Sequence, residues 1–144
     1  MAIYEELLEK YHQYREHRYK VLIIIKAPQD SLFPPSLVSE FAESTEAQVI
    51  NFEESYKGRL NEFFIWQDIR NKLYEMANTQ ATIAVDIEPI YAKWPDHERL
   101  VFLKNILLSE PKHPLVLMLS CQEDLSGLQK IDGNNRGLIW APEK

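Results

Sequence analysis

Asp86 and Glu88 are the side chains of this sequence best spaced for chemistry. They stand two positions apart, directly after the run Ala81-Thr-Ile-Ala-Val85. Such a run reads as a strand buried on both faces. The carboxyl ends of strands are where α/β sheets bind ligands. Two carboxylates there could hold a divalent cation or exchange protons with a substrate. The competing assignment is structural: Asp86 caps a turn or pairs with an arginine. That assignment is preferred here. A D…E-x-K nuclease pattern is not met, because Pro89 and Ile90 follow Glu88.

The other reactive residue types form weaker patterns. His12, His17, His97 and His113 lack the spacing of an HExxH helix or a compact metal hook, and they read as surface residues. Ser31, Ser36 and Ser120 lie outside any G-x-S-x-G elbow, in a chain with only four glycines. The single cysteine, Cys121, excludes an intrachain disulfide and a cysteine-based zinc site. It reads as a small buried hydrophobe. Arg15-Glu-His-Arg-Tyr-Lys20 suits the dipole of a helix C-terminus better than a phosphate backbone.

Composition narrows the function classes further. The 144 residues are 45% hydrophobic and 26% charged, an ordinary balance for one globular domain spanning 1–144. A formal charge of −6 gives no footprint for nucleic acid. No unbroken apolar run exceeds the length of Val21–Ile25, far short of a membrane span. Met1–Lys10 carries Glu5, Glu6 and Glu9 where a secretory signal has a basic start and an apolar core. The expected location is the cytoplasm.

The elements that must position Asp86 and Glu88 follow from periodicity. Tyr4, Leu7, Leu8, Tyr11 and Tyr14 predict a leading helix over Tyr4–His17. Lys20–Lys26 reads as a buried strand, Ala27–Pro35 as a loop, and Leu37, Val38 and Phe41 as the apolar face of a short helix. Ala47–Phe52 predicts a second strand and Glu53–Arg59 a loop. Leu60–Met76 predicts a long helix with Ile65, Ile69, Leu73 and Met76 on one stripe. Ala81–Asp86 is the third strand, and Pro89–Trp94 a linker. A helix starting at Pro95 carries Leu100, Leu103, Ile106 and Leu107. Leu115–Ser120 is a fourth strand, Gln122–Arg136 a polar stretch, and Gly137–Ala141 a short fifth strand. Parallel strands need long crossovers, normally helical. The expected architecture is a three-layer α/β domain with a mostly parallel five-stranded sheet and a leading helix.

This layout resembles a P-loop NTPase, with Ala81–Asp86 as the Walker B strand, Asp86 near Mg²⁺, and Leu115–Ser120 as the strand that senses the γ-phosphate. The phosphate loop itself is degenerate. Where G-x-x-x-x-G-K-[ST] belongs, the chain reads Lys26-Ala-Pro-Gln-Asp-Ser-Leu-Phe33. Lys26 and Ser31 replace the glycines, Leu32 the lysine and Phe33 the hydroxyl. From Ala27 to Tyr56 the only charges are acids: Asp30, Glu40, Glu43, Glu46, Glu53 and Glu54. They would repel a triphosphate. No cofactor is expected.

Three stretches carry a closer resemblance. Val85-Asp-Ile-Glu-Pro-Ile-Tyr91, Leu100–Leu108 with Leu115–Leu119, and Gly137-Leu-Ile-Trp-Ala-Pro142 resemble the small P-loop-type subunit of BREX phage-defence systems. The resemblance implies a cytoplasmic subunit working beside larger defence proteins. The lost phosphate loop leaves a non-catalytic adaptor or regulatory subunit, partnered by a larger protein or by itself. The alternative is a metal-dependent nucleotide hydrolase or phosphohydrolase using Asp86 and Glu88. The expected partner surface is the acidic segment, through Glu43, Glu46, Glu53 and Glu54, together with an exposed aromatic of Phe63–Trp66, represented by Trp66. One helix cannot bury four consecutive large apolar residues on a narrow stripe.

Overall fold

The computed structural model describes residues 3–16, 20–25, 35–119 and 138–140. The chain runs through α1 (Ile3–Arg15), β1 (Val21–Ile25), α2 (Pro35–Thr45), β2 (Gln48–Asn51), α3 (Phe52–Ser55), α4 (Trp66–Thr79), β3 (Thr82–Val85), α5 (Glu88–Tyr91), α6 (Asp96–Leu107), β4 (Leu115–Leu119) and β5 (Leu138–Trp140). Four strands lie parallel in the order β2-β3-β4-β1, and the three-residue β5 pairs with β1 at the edge, also parallel. In register, Ile23 stands beside Leu117 on one side and Ile139 on the other.

Right-handed crossovers explain the layering. The step from β1 to β2 crosses to the far edge, whereas β2 to β3 and β3 to β4 return toward β1. Opposite directions of travel place the connecting helices on opposite faces. The buried residues divide accordingly. Leu22, Ile24, Ile83, Val116 and Met118 pack with Leu7 and Tyr11 of α1 and with Phe41 of α2. Val21, Ile23, Ala84, Leu115, Leu117 and Leu119 pack with α4, α5 and α6. Alternation along each strand sends neighbours to the two layers. All of β4 is buried, as a central parallel strand requires. Thr82, the polar residue of β3, is satisfied within the fold: its hydroxyl donates to the Gln80 carbonyl and accepts from Gln48 Nε2.

Three sequence expectations are corrected. The long helix starts at Trp66, not Leu60. Gly58 turns the chain with φ of +89°, a left-handed conformation that costs glycine no Cβ clash. The carbonyls of Leu60 and Glu62 then accept from Lys93 Nζ, and that of Phe64 from Trp94 Nε1. Phe63, Phe64 and Ile65 therefore lie on an irregular segment, and the crowding foreseen for one helix does not arise. Second, the stretch after β2 begins with the one-turn helix α3, capped by the Asn51 side chain accepting from the Glu54 N–H at 3.1 Å. Third, the linker after Asp86 contains α5, with Pro89 in its first turn. The segment 26–33, expected from the sequence to stand where a phosphate loop would, Ser120, Cys121 and the stretch 122–136 lie outside the described residues, as do His17 and Arg18.

Candidate functional site at the carboxyl ends of the strands

β2 and β3 run parallel, so their carboxyl ends lie side by side, with Asn51 in register with Val85. Asn51 Nδ2 donates to Asp86 Oδ2 at 2.8 Å while its Oδ1 caps α3. One amide thus ties the two strand ends together. Asp86 is half-buried and has φ of +54°. That conformation is uncommon outside glycine, and aspartate and asparagine tolerate it best. The turn lets the chain leave β3 and enter α5 within two residues. Glu88, also half-buried, opens α5. The strand end therefore holds Asp86 and Glu88 as the sequence suggested. The partner of Asp86 is an asparagine rather than an arginine. Among the described residues no three His, Cys, Asp or Glu side chains converge to hold a metal ion.

The acidic partner-surface residues named in the sequence fall into two pairs flanking the edge strand β2. Glu43 and Glu46 sit at the end of α2 and in the turn before β2, and Glu53 and Glu54 lie on α3 after it. The intervening strand has four residues, roughly 13 Å at ~3.3 Å per residue. All four glutamates are exposed, but the pairs occupy opposite ends of the sheet.

The aromatic expectation is corrected in its residue. Trp66 is half-buried and packs against the core formed by α4, α5 and α6. Phe63 and Ile65 are the exposed large apolar side chains of that stretch, at 57% and 49%. Their segment is held on several sides. Arg59 donates to Glu62 through Nε (3.0 Å) and Nη2 (3.2 Å). The Arg59 guanidinium also lies 4.9 Å from the centre of the Phe64 ring, within cation–π range. Phe64 meets Tyr56 edge-on, and Tyr56 stacks on Phe52 of α3. The hydrogen bond and charge of Arg59 hold the Glu62 carboxyl below its ordinary range, and burial pushes the Tyr56 phenol up. Behind the segment, Trp94, Phe102 and Tyr91 form a buried aromatic cluster, with the Trp94 and Phe102 ring centres 4.9 Å apart. The sequence carried a signal for this device: Lys93-Trp94 follows α5 and supplies two side-chain donors. Their acceptors lie about thirty residues upstream in the chain.

Fold and site together define an α/β domain with a parallel sheet and helices on both faces. No known family model matches the chain, and no curated protein matches it. No described helix is long and apolar enough to cross a membrane.

Proposed function

We propose that this chain is a degenerate P-loop-like domain serving as a non-catalytic adaptor or regulatory subunit of a bacterial antiviral complex of the BREX kind, acting in the cytoplasm through protein contacts. The observation that carries the reading is the anchored apolar projection. Phe63 and Ile65 stand in solvent on a segment whose backbone is tied down by Lys93 and Trp94. Exposing two large apolar side chains on a fixed frame costs hydration free energy, and a rigid frame spares a partner the entropy of ordering it. β4 lies between β1 and β3, so the strand read as γ-phosphate-sensing has its carboxyl end beside those of the first strand and of the strand read as Walker B. Fold likeness alone does not carry function, so the adaptor role rests on the projection and on the degenerate loop at Lys26–Phe33.

The experiment is affinity capture of the tagged protein from its native host, repeated with Phe63→Ser/Ile65→Ser and separately with Glu53→Lys/Glu54→Lys and Glu43→Lys/Glu46→Lys. The expected result is a stoichiometric larger partner, lost in the Phe63/Ile65 variant while its circular dichroism stays native. A folded wild-type protein that captures nothing and sediments as a monomer overturns the adaptor reading. A second reading is favoured by one observation, the left-handed Asp86 beside Glu88 at a strand end: metal-dependent phosphohydrolase chemistry. It requires divalent-cation binding that disappears in Asp86→Asn.

A further inference from the structure

On one side the sheet ends at β2, which pairs with β3 and, among the described residues, with no strand beyond it. Backbone N–H and C=O groups of successive strand residues point alternately to the two sides of a strand. The Gln48 N–H donates to the Ala81 carbonyl at 2.9 Å, so Gln48 and Ile50 face β3 and Val49 faces outward. The Val49 N–H and C=O therefore lie on the open edge, and no described group bonds either of them. Such an edge is a template for another strand. Many edges are blunted by a proline, a bulge or a lysine on the strand itself. Gln48-Val-Ile-Asn51 carries none of these, its register with β3 is continuous, and Val49 is 43% exposed. Its four residues limit an added strand to a short segment.

The surroundings of this edge say what fits it. Gln48 and Ile50 lie on the α4 face, where Gln48 Nε2 donates to the Met76 carbonyl and Ile50 joins the core with Ile69 and Leu73. A shallow cleft of about 220 Å³ opens there between β2 and α4, lined by Gln48, Lys72, Glu75, Met76 and Thr79. Val49 lies on the opposite face. A strand laid along β2 would send alternate side chains to the two faces, one over the cleft and the next beside Val49. The charge around the edge is mostly of one sign. Glu43 and Glu46 precede β2, Glu53 and Glu54 follow it, and Glu75 borders the cleft. All five are exposed, and among the described residues none is in an ion pair. The cation of the cleft, Lys72, has its ammonium 6.0 Å from the centre of the Tyr56 ring. Antiparallel pairing of β2 with a second copy would set Glu43 and Glu46 of one chain toward Glu53 and Glu54 of the other. Like charges opposed across strands are destabilising, so the edge suits a segment of opposite charge better than its own copy.

We propose that the β2 edge takes up, as an added strand, a short extended segment of a partner protein with lysine or arginine at both ends. The Val49 N–H and C=O hold its backbone, and the two glutamate pairs hold its end charges. The test is an NMR titration of the full, isotope-labelled chain with a pool of octapeptides. Each has two lysines at either end and valine or threonine at the four central positions. Saturable shifts led by the Val49 and Asn51 amides are expected, with slower hydrogen exchange at Val49. A pool with glutamates at the ends should not bind. A lysine-ended pool N-methylated at its central residues should bind about tenfold more weakly or worse, because its backbone donors are gone. Val49→Pro should lose binding to the same degree and keep its fold, since proline is tolerated where an edge N–H faces solvent. Glu43→Lys/Glu46→Lys/Glu53→Lys/Glu54→Lys leaves the strand untouched and should turn the preference toward the glutamate-ended pool; it decides the matter if Val49→Pro does not fold. Phe63→Ser/Ile65→Ser should bind as wild type, so this proposal and the adaptor surface fail separately. No shift at Val49 with the lysine-ended pool, or equal binding of the N-methylated pool, overturns the proposal. So does a wild-type chain that self-associates in sedimentation and loses that association in Val49→Pro, since the occupant would then be a second copy.

Discussion

Replacing Asp86 separates its structural contribution from any chemical one, because two independent terms meet in this residue. The first is conformational. At φ of +54° an ordinary L-residue loses ~1 kcal/mol relative to aspartate, asparagine or glycine. The second is the 2.8 Å hydrogen bond from Asn51 Nδ2. In a half-exposed setting its loss costs ~1–1.5 kcal/mol, part of it from leaving the amide unpaired. Asp86→Ala forfeits both, about 2–3 kcal/mol, which for a domain of this size lowers the melting temperature by roughly 5–10 °C. Asp86→Gly forfeits only the hydrogen bond, about 1 kcal/mol. Asp86→Asn keeps left-handed tolerance and a side-chain carbonyl to accept from Asn51, so it should stay within ~0.5 kcal/mol of wild type. The assay is urea denaturation of the four proteins, reading midpoints at constant slope. The expected order of stability is wild type and Asn, then Gly, then Ala. An alanine variant as stable as wild type, or a glycine variant below alanine, would refute the reasoning. Asp86→Asn is then the clean probe of function, since it removes the charge and leaves the turn. Under the adaptor reading it keeps phage protection.

Calorimetry with Mg-ATP and with Mg-GTP should show no low-micromolar binding, about −8 kcal/mol, because Lys26–Phe33 lacks the glycines, lysine and hydroxyl of a phosphate loop. A constant of that size would sink the degenerate-loop argument. Trp94→Phe removes the donor to the Phe64 carbonyl while keeping most of the buried ring. It should cost about 1–2 kcal/mol and expose the 57–65 segment to limited proteolysis. Unchanged cleavage would mean that Trp94 does not anchor that segment. Glu62 should titrate below an ordinary glutamate because Arg59 stabilises its charged form. Any stability it adds is present above its unfolded pKa and is lost as pH falls through the lower folded value. In Arg59→Ala its NMR titration should move up toward the ordinary value, and 1 M salt should shrink the difference.

Much of the scaffold was legible along the chain. The runs Val21–Ile25, Thr82–Val85 and Leu115–Leu119 read as strands buried on both faces, because a parallel strand covered by two layers makes nearly every position apolar. Asp86 and Glu88 were legible for the same reason: charge resumes where such a strand leaves the core. The lack of a Walker A pattern was likewise a matter of residue types, and Lys26–Phe33 states it directly.

Other features depended on distant contacts. The order β2-β3-β4-β1-β5 is a choice among crossovers that periodicity does not encode. The helix expected from Leu60 gave way because Lys93 and Trp94, about thirty residues on, hold the carbonyls of Leu60, Glu62 and Phe64. Local pattern favoured helix, and long-range hydrogen bonds outweighed it. The same packing made Phe63 and Ile65 the exposed pair and drew Trp66 onto the core. An extended strand separated Glu43 and Glu46 from Glu53 and Glu54. Lys20 and Lys112 line one cleft because the strands they precede, β1 and β4, are parallel neighbours that start at the same end of the sheet. Sequence determined which strands are buried and which charges are available. Tertiary structure decided which of those charges and rings share a surface, since a parallel sheet brings together the ends of strands that lie far apart in the chain.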